Sequence, residues 1–222
     1  MSVRPIVLAS NSPRRRELIG LTGWRVSIQP ASIDETPLPG ESPAGYVYRL
    51  AEQKAQVVSR SAPPGALVIG ADTTVADGEV ILGKPQDEAE AAAMLRRLRG
   101  KEHFVYTAIV VVEPSTGKVR GETCATRVPM RAYTDEEIEA YVATGDPLDK
   151  AGAYAIQYRD FHPVEHLRGC YASVMGLPLC HLARVMRQFG LEPEGDLPAR
   201  CQALLNYPCP VFEAIYRGEQ IG

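Results

Sequence analysis

Aromatic residues are scarce in this 222-residue chain, 7% of the total with a single tryptophan, Trp24, and they form no stripe interleaved with basic residues. The stacking platform that grips nucleic acid is therefore missing. Positive charge is not in excess either. Lys and Arg number 24 against 27 Asp and Glu, for a net charge of -3 and a pI near 5.9, which argues against a broad basic surface for nucleic acid or anionic membrane but leaves room for a local basic pocket. No apolar run approaches the roughly 20 residues that span a bilayer, and Ile6 to Ala9 is too short for a signal-peptide core. A protein of the cytoplasm, without nucleic-acid or membrane partners, is the expectation. The five cysteines are odd in number and spread over a chain of ordinary size, which suits free thiols better than a disulfide framework. Cys180-His181, Cys201 and Cys209 lack the paired spacing of structural zinc. The four histidines (His103, His162, His166, His181) serve no nucleophile elbow, which removes the support for acyl transfer through a Ser-His-Asp triad. Walker loop, GxGxxG fingerprint and HExxH helix are all absent.

What is there begins with "IVLASNSPRRREL". A buried strand from Arg4 to Ala9 runs into Ser12-Pro13, an N-cap followed by proline at the first helical position. A short strand near Trp24 to Gln29 follows, then the acidic, proline-rich loop "PASIDETPLPGES" and a second Ser-Pro cap opening a helix from Ser42 to about Ser59. "ALVIGADTTVADGEVILGKP" reads as two strands joined at Asp77-Gly78, with Asp72 where the first apolar run ends. "DEAEAAAMLRRLRG" has acids first, arginines last and a closing glycine, as a helix dipole and C-cap require. A long hairpin turns at Ser115 to Lys118, and Thr134 with Glu137 forms a capping-box pattern for a helix to Thr144. "AYAIQ" and "CYASVMG" read as further strands, and "LPLCHLARVMRQFG" as a helix. Residues 191–222, rich in proline and breakers, read as an appendage to a body of residues 1–190. The mixture of alternating elements and hairpins predicts an α/β fold on a mixed, twisted sheet.

Three consecutive arginines repel one another, and cations are disfavoured at a helix N-terminus. A bound polyphosphate reverses that argument, because strand, turn and helix N-terminus together make an anion site and arginine forks grip phosphate oxygens. A solvated basic face is the competing reading. In the second helix Tyr46, Val47, Leu50, Val57 and Val58 mark an apolar stripe, and at about 100° per residue Lys54 falls inside it, where a buried ammonium needs a partner or a cavity. Carboxylates Asp34-Glu35 and Asp72, with Lys84 and Lys150 in loops, supply the other half of a phosphate and divalent-metal chemistry.

Ser10-Asn11-Ser12-Pro13-Arg14-Arg15 resembles the opening motif of the Maf family of nucleoside triphosphate pyrophosphatases. The resemblance continues in order through Asp34-Glu35, Ala51-Glu52-Gln53-Lys54-Ala55, Gly70-Ala71-Asp72-Thr73, Gly83-Lys84-Pro85, Asp149-Lys150-Ala151-Gly152-Ala153-Tyr154, Ile156-Gln157 and Gly176-Leu177-Pro178-Leu179. It covers roughly residues 3 to 190. It implies a sheet flanked by helices in two lobes around a cleft, similar to the inosine triphosphate pyrophosphatase fold. It also implies a cytoplasmic enzyme, often dimeric, that releases pyrophosphate from a nucleoside triphosphate with Mg²⁺ or Mn²⁺. On that likeness Asp72, Glu35, Lys54 and Lys84 are the catalytic candidates, with Glu35 and Asp72 the metal ligands and the division of base and ligand between them open. Ser10, Ser12, Arg14, Arg15, Thr73, Lys150 and Gln157 are the substrate-binding candidates. Arg14-Arg15, Asp72-Thr73 and Gln157 are similar to the dTTP and UTP subgroup, and a glutamine amide matches the donor and acceptor of a uracil or thymine edge. The bulky loop "YRDFHPVEHLRGC" departs from the glycine-rich loop common after that glutamine. A regulatory nucleotide-binding protein with little turnover, and a pyrophosphatase for a modified purine triphosphate such as 7-methyl-GTP, are the alternative readings.

Overall fold

The computed structural model describes residues 4–219 and 221–222, so the first three residues of the 1–190 body and Gln220 of the appendage lie outside the described residues. Its centre is a six-stranded mixed sheet built on β3 (Leu67–Asp77). On one edge β3 pairs along Val68 to Ala76 with β5 (Glu102–Glu113), which in turn pairs with β6 (Lys118–Pro129), both antiparallel. The other edge is shared. β1 (Ile6–Leu8) lies parallel to β3 at Leu67 to Ile69 and carries β2 (Val26–Ile28) outside it, whereas β4 (Val80–Leu82) folds back onto Val75 to Asp77. Among the described residues no strand pairs with that edge between Ile69 and Val75, and the sheet has a gap there.

Helix α2 (Pro43–Ser59) covers one face of the sheet and, among the described residues, is the only helix contributing to that side's core, where Val47, Ala51, Ala55 and Val58 meet Val7, Val68 and Val110. Gly70 makes this contact possible. A Cβ there would stand 2.0 Å from the Ala51 carbonyl oxygen, so only glycine lets the helix backbone come down onto the strand. One helical turn further on, Lys54 is thereby set over Asp72, two residues along the same face of β3. Val57, expected in the apolar stripe, is exposed instead.

The opposite face packs on α1 (Pro13–Gly20), α3 (Glu88–Leu98), α4 (Asp135–Val142), the short α5 (Tyr171–Val174) and α6 (Leu179–Arg187), around Leu18, Leu95, Ile138, Leu182 and Val185. Side-chain caps open α1, α2 and α4 as the sequence indicates, at Ser12, Ser42 and Thr134, and Asp87 caps α3 in the same way; each accepts from a backbone N–H three residues on, and Thr134 with Glu137 closes a full capping box.

Three local expectations are corrected. Asp72 does not end its strand, because β5 carries the pairing past it to Ala76. "AYAIQ" is not a strand: Gly152 (φ 69) and Ala153 (φ 61) lie in the left-handed region, within a pair of 3₁₀ turns spanning residues 146–153. "CYASVMG" is a helical turn, with the amides of Met175 and Gly176 bonding back to Tyr171 and Ala172. A short apolar run has no periodicity to separate strand from helix, and β5 already has partners on both edges.

Residues 191–222 form α7 (Leu197–Leu205) and α8 (Phe212–Tyr216), with Leu197 and Ile215 buried at 1% and 0% exposure. Arg184 of α6 donates to the Ile215 carbonyl (2.8 Å) and Trp24 Nε1 to that of Glu192 (2.8 Å). Truncation after Gly190 is expected to lower Tm, since each of those two apolar side chains contributes about 1.5–3 kcal/mol of burial. Thermal unfolding by circular dichroism checks it.

Candidate active site

The gap in the sheet opens into a cleft of about 790 Å³ between the α2 layer and the layer of α1, α5 and the 3₁₀ turns. Because β3 is bare there, the cleft reaches both faces of the strand. Asp72 points to the α2 side and Thr73 to the α1 side.

On the α2 side Lys54 Nζ lies 2.5 Å from Asp72 Oδ1 and 2.6 Å from Glu35 Oε1. The ammonium that the stripe buries thus has two carboxylate partners. The carboxylates are in unlike settings. Burial pushes the Asp72 pKa up, against the opposing pull of Lys54 and Arg15. Glu35 is more open, its side chain 49% exposed; burial works against its charge, but the hydrogen bond and charge of Lys54 outweigh it and hold the carboxyl below its usual range. Tyr46 donates from its hydroxyl to the Glu35 carbonyl (2.8 Å), fixing the loop; burial and the two carboxylates push this phenol up to about 12. Asp34 turns away, accepting from Thr36 N (2.9 Å).

On the α1 side Arg15 is held from three directions. Its Nε donates to the Gly176 carbonyl (2.8 Å), Nη1 to Ser10 Oγ (3.3 Å) and Nη2 to Thr73 Oγ1 (3.0 Å). Burial lowers its pKa, with Asp72 pulling the other way. Ser10 Oγ also accepts from Ser12 N (3.2 Å), and Ser12 Oγ caps α1 through Arg15 N (3.4 Å). Arg15 therefore ties the start of α1 to β3 and to the turn after α5, with two of its five N–H groups left over. Arg14 and Lys84 also line the cleft, and among the described residues neither makes an ion pair. Lys150, buried, is clamped by Asp149 Oδ1 (2.6 Å) and Asp146 Oδ1 (2.9 Å), and Gln157 also lines the cleft, exposed.

The eleven catalytic and substrate-binding candidates thus line one cleft, and Asp34 does not. Sequence reasoning missed Tyr46 as a support for Glu35, the acids Asp146 and Asp149 around Lys150, and the carbonyl of Gly176. Asp149 and Gly176 stood in the family motifs and Tyr46 in the apolar stripe, none of them with this role, and Asp146 carried no signal. No residue of 158–170 lines the cleft: Phe161 stacks on Tyr141 of the body (4.3 Å between centroids), and the Leu167 and Gly169 carbonyls accept from Tyr207 of the appendage, so this loop packs between the two. His103 is buried against the Tyr154 hydroxyl (2.8 Å), and burial lowers its pKa to about 4, which suits a neutral structural histidine. Among the described residues no group of three His, Cys, Asp or Glu could hold a metal ion, and the five cysteines are free.

A model of the family described as "Maf-like protein" matches residues 5–189. The chain belongs to the Maf-like family. Among curated members, the dTTP/UTP pyrophosphatase of Pelotomaculum thermopropionicum is 46% identical over 188 residues, covering 85% of this chain and 98% of its own. Those of Anaeromyxobacter dehalogenans (47% over 195 residues, 87% and 98%) and Hahella chejuensis (46% over 195 residues, 87% and 96%) carry the same description. Among solved structures, the Staphylococcus aureus Ham1 protein overlaps 58% of this chain and 72% of its own at 15% identity, with a TM-score of 0.43, too loose a superposition to bear on function.

Proposed function

We infer that this Maf-like protein hydrolyses a nucleoside triphosphate, dTTP or UTP, to the monophosphate and pyrophosphate. The observation that carries the reading is Lys54 held between Asp72 and Glu35 on the wall of a cleft that also holds Arg14 and Lys84. The family's curated dTTP/UTP pyrophosphatases support the substrate.

Asp72 and Glu35 converge on one nitrogen, so they form an oxygen donor pair of the kind that binds Mg²⁺ or Mn²⁺ together with substrate phosphates. With only two carboxylates, the remaining positions fall to the triphosphate and water, and Glu35 and Asp72 are the residues that would hold the ion. When bound, such a cation neutralises phosphate charge and polarises the phosphoryl group under attack.

The side chains divide the remaining work. Asp72, the carboxylate whose proton affinity burial raises, takes the proton of a water as its oxygen bonds to the α-phosphorus and the bridge to the β-phosphate breaks. Glu35 stays ionised and keeps Lys54 in place. Arg14 and Lys84 take up charge on the departing pyrophosphate, and Gln157 donates its amide N–H to a carbonyl oxygen of the base edge. Lys150, held by two acids, closes the wall beside it. A homodimer in the cytoplasm completes the proposal, with residues 191–222 as a buttress of the 1–190 body.

Pyrophosphate release by purified protein with Mg²⁺ or Mn²⁺, over dTTP, UTP, CTP, GTP, 7-methyl-GTP and ITP, tests the reading. Turnover of dTTP or UTP supports it; triphosphate binding without turnover of any of them overturns it in favour of a regulatory role. Arg14→Ala is expected to raise KM for the triphosphate about tenfold to a hundredfold, the loss of a charge-assisted hydrogen bond, with the smaller effect on kcat.

A further inference from the structure

We propose that Thr107, which does not line the cleft, is a positioning residue that sets the hydrogen-bond polarity of Thr73 and thereby the choice between uracil-type and cytosine-type bases. The inference rests on the nucleotide reading above.

Thr107 lies on β5 directly opposite Thr73 on β3, and it is fully buried. Its hydroxyl is 2.8 Å from the Ser173 carbonyl and 3.0 Å from Thr73 Oγ1. A carbonyl can only accept and a threonine hydroxyl carries one proton, so the Thr107 proton goes to Ser173. Between the two hydroxyls Thr73 must then be the donor. Arg15 Nη2, 3.0 Å away on the other side, can only donate, so Thr73 accepts from it. One direction of protons satisfies the whole row: Arg15 to Thr73, Thr73 to Thr107, Thr107 to Ser173.

The consequence is chemical. Thr73 borders the cleft with its proton spent inward and one lone pair taken by Arg15. All it can present to a ligand is its second lone pair. An acceptor fixed in that way suits a base edge bearing a ring N–H, as the imide of uracil or thymine does, and repels one presenting a bare ring nitrogen at the same place, as cytosine does. The discrimination is of the strong kind, because a buried polar group is left unpaired or faced with its like. Ser173 belongs to α5, and Gly176, two residues beyond its end, also accepts from Arg15. Thr107 therefore holds together the strand, the arginine and the helix from behind.

The test uses Thr107→Val, which keeps shape and removes the hydroxyl, and Thr107→Ser, which restores the hydroxyl. In Thr107→Val the Thr73 hydroxyl has lost its inward acceptor and can turn its proton outward. The ratio of kcat/KM for UTP over CTP is expected to fall about tenfold, through KM more than kcat, and Thr107→Ser is expected to recover it. Calorimetric titration of UTP and CTP in EDTA reads the same ratio as Kd values without turnover. A changed Kd ratio in a protein that hydrolyses nothing would remove the enzymatic reading and leave this one standing. An unchanged ratio in folded Thr107→Val, or equal losses for both nucleotides that Thr107→Ser does not recover, would overturn it.

Discussion

Asp72→Asn is expected to lower pyrophosphate release by about a thousandfold, within the range that removal of a general base costs, while Tm does not fall. The second half of that expectation comes from the pKa. Burial raises the Asp72 carboxyl above its unfolded value, so at neutral pH the ionised group favours the unfolded chain, and its unfavourable contribution disappears only as pH drops below the unfolded value. An amide carries no such cost and still offers Lys54 an oxygen. Turnover and thermal unfolding measured on one preparation separate the two effects. Retained turnover would remove Asp72 from the chemistry, and a large fall in Tm would show that its charge stabilises the fold.

Lys54→Met is expected to damage both activity and stability. The substitution leaves the carboxylates of Asp72 and Glu35 facing each other without the ammonium now 2.5 and 2.6 Å away. Removing one member of a buried pair costs about 3–5 kcal/mol, which for a chain of this size corresponds to a fall in Tm of about 10 °C. With Lys54 gone, burial acts on Asp72 with less opposition and its pKa rises further. The acid limb of the rate profile is then expected to move to higher pH. The stability deficit should shrink on acidification, as Asp72 takes up a proton in the folded state. Glu35 works in the opposite sense in the wild-type protein: its lowered pKa gives stability that is present above the unfolded value and lost as pH falls through the folded one. Rate profiles and unfolding curves from pH 5 to 9 distinguish this outcome from simple loss of a lysine, which would move neither with pH.

Much of the molecule was legible because its signals are local. An N-cap hydroxyl acts three residues away, so Ser12-Pro13, Ser42-Pro43 and Thr134 with Glu137 marked their helices without knowledge of the rest. Lys54 stood out because helical periodicity alone put an ammonium on a buried face. The same locality explains the failures. The short runs around Tyr154 and Ala172 carry no period, and which became a turn and which a helix depended on the left-handed residues at 152 and 153 and on strand partners distant in sequence.

By itself, the sequence determined the α/β class, the capped helices, the hairpins and the residue types of a phosphate site, all of which follow from interactions within a few residues. Tertiary structure decided where those residues meet. β1 stops at Leu8 and β4 begins its pairing at Val75, so β3 is bare between them and shows Asp72 to one side and Thr73 to the other. Gly70 brought Lys54 down onto Asp72. Arg15 became the start of a fixed hydrogen-bond row that runs through Thr73 to Thr107 and Ser173, the last two 92 and 158 positions further along the chain. The pairing of distant strands sets which hydroxyl faces which, and only the folded chain brings Thr107 behind Thr73.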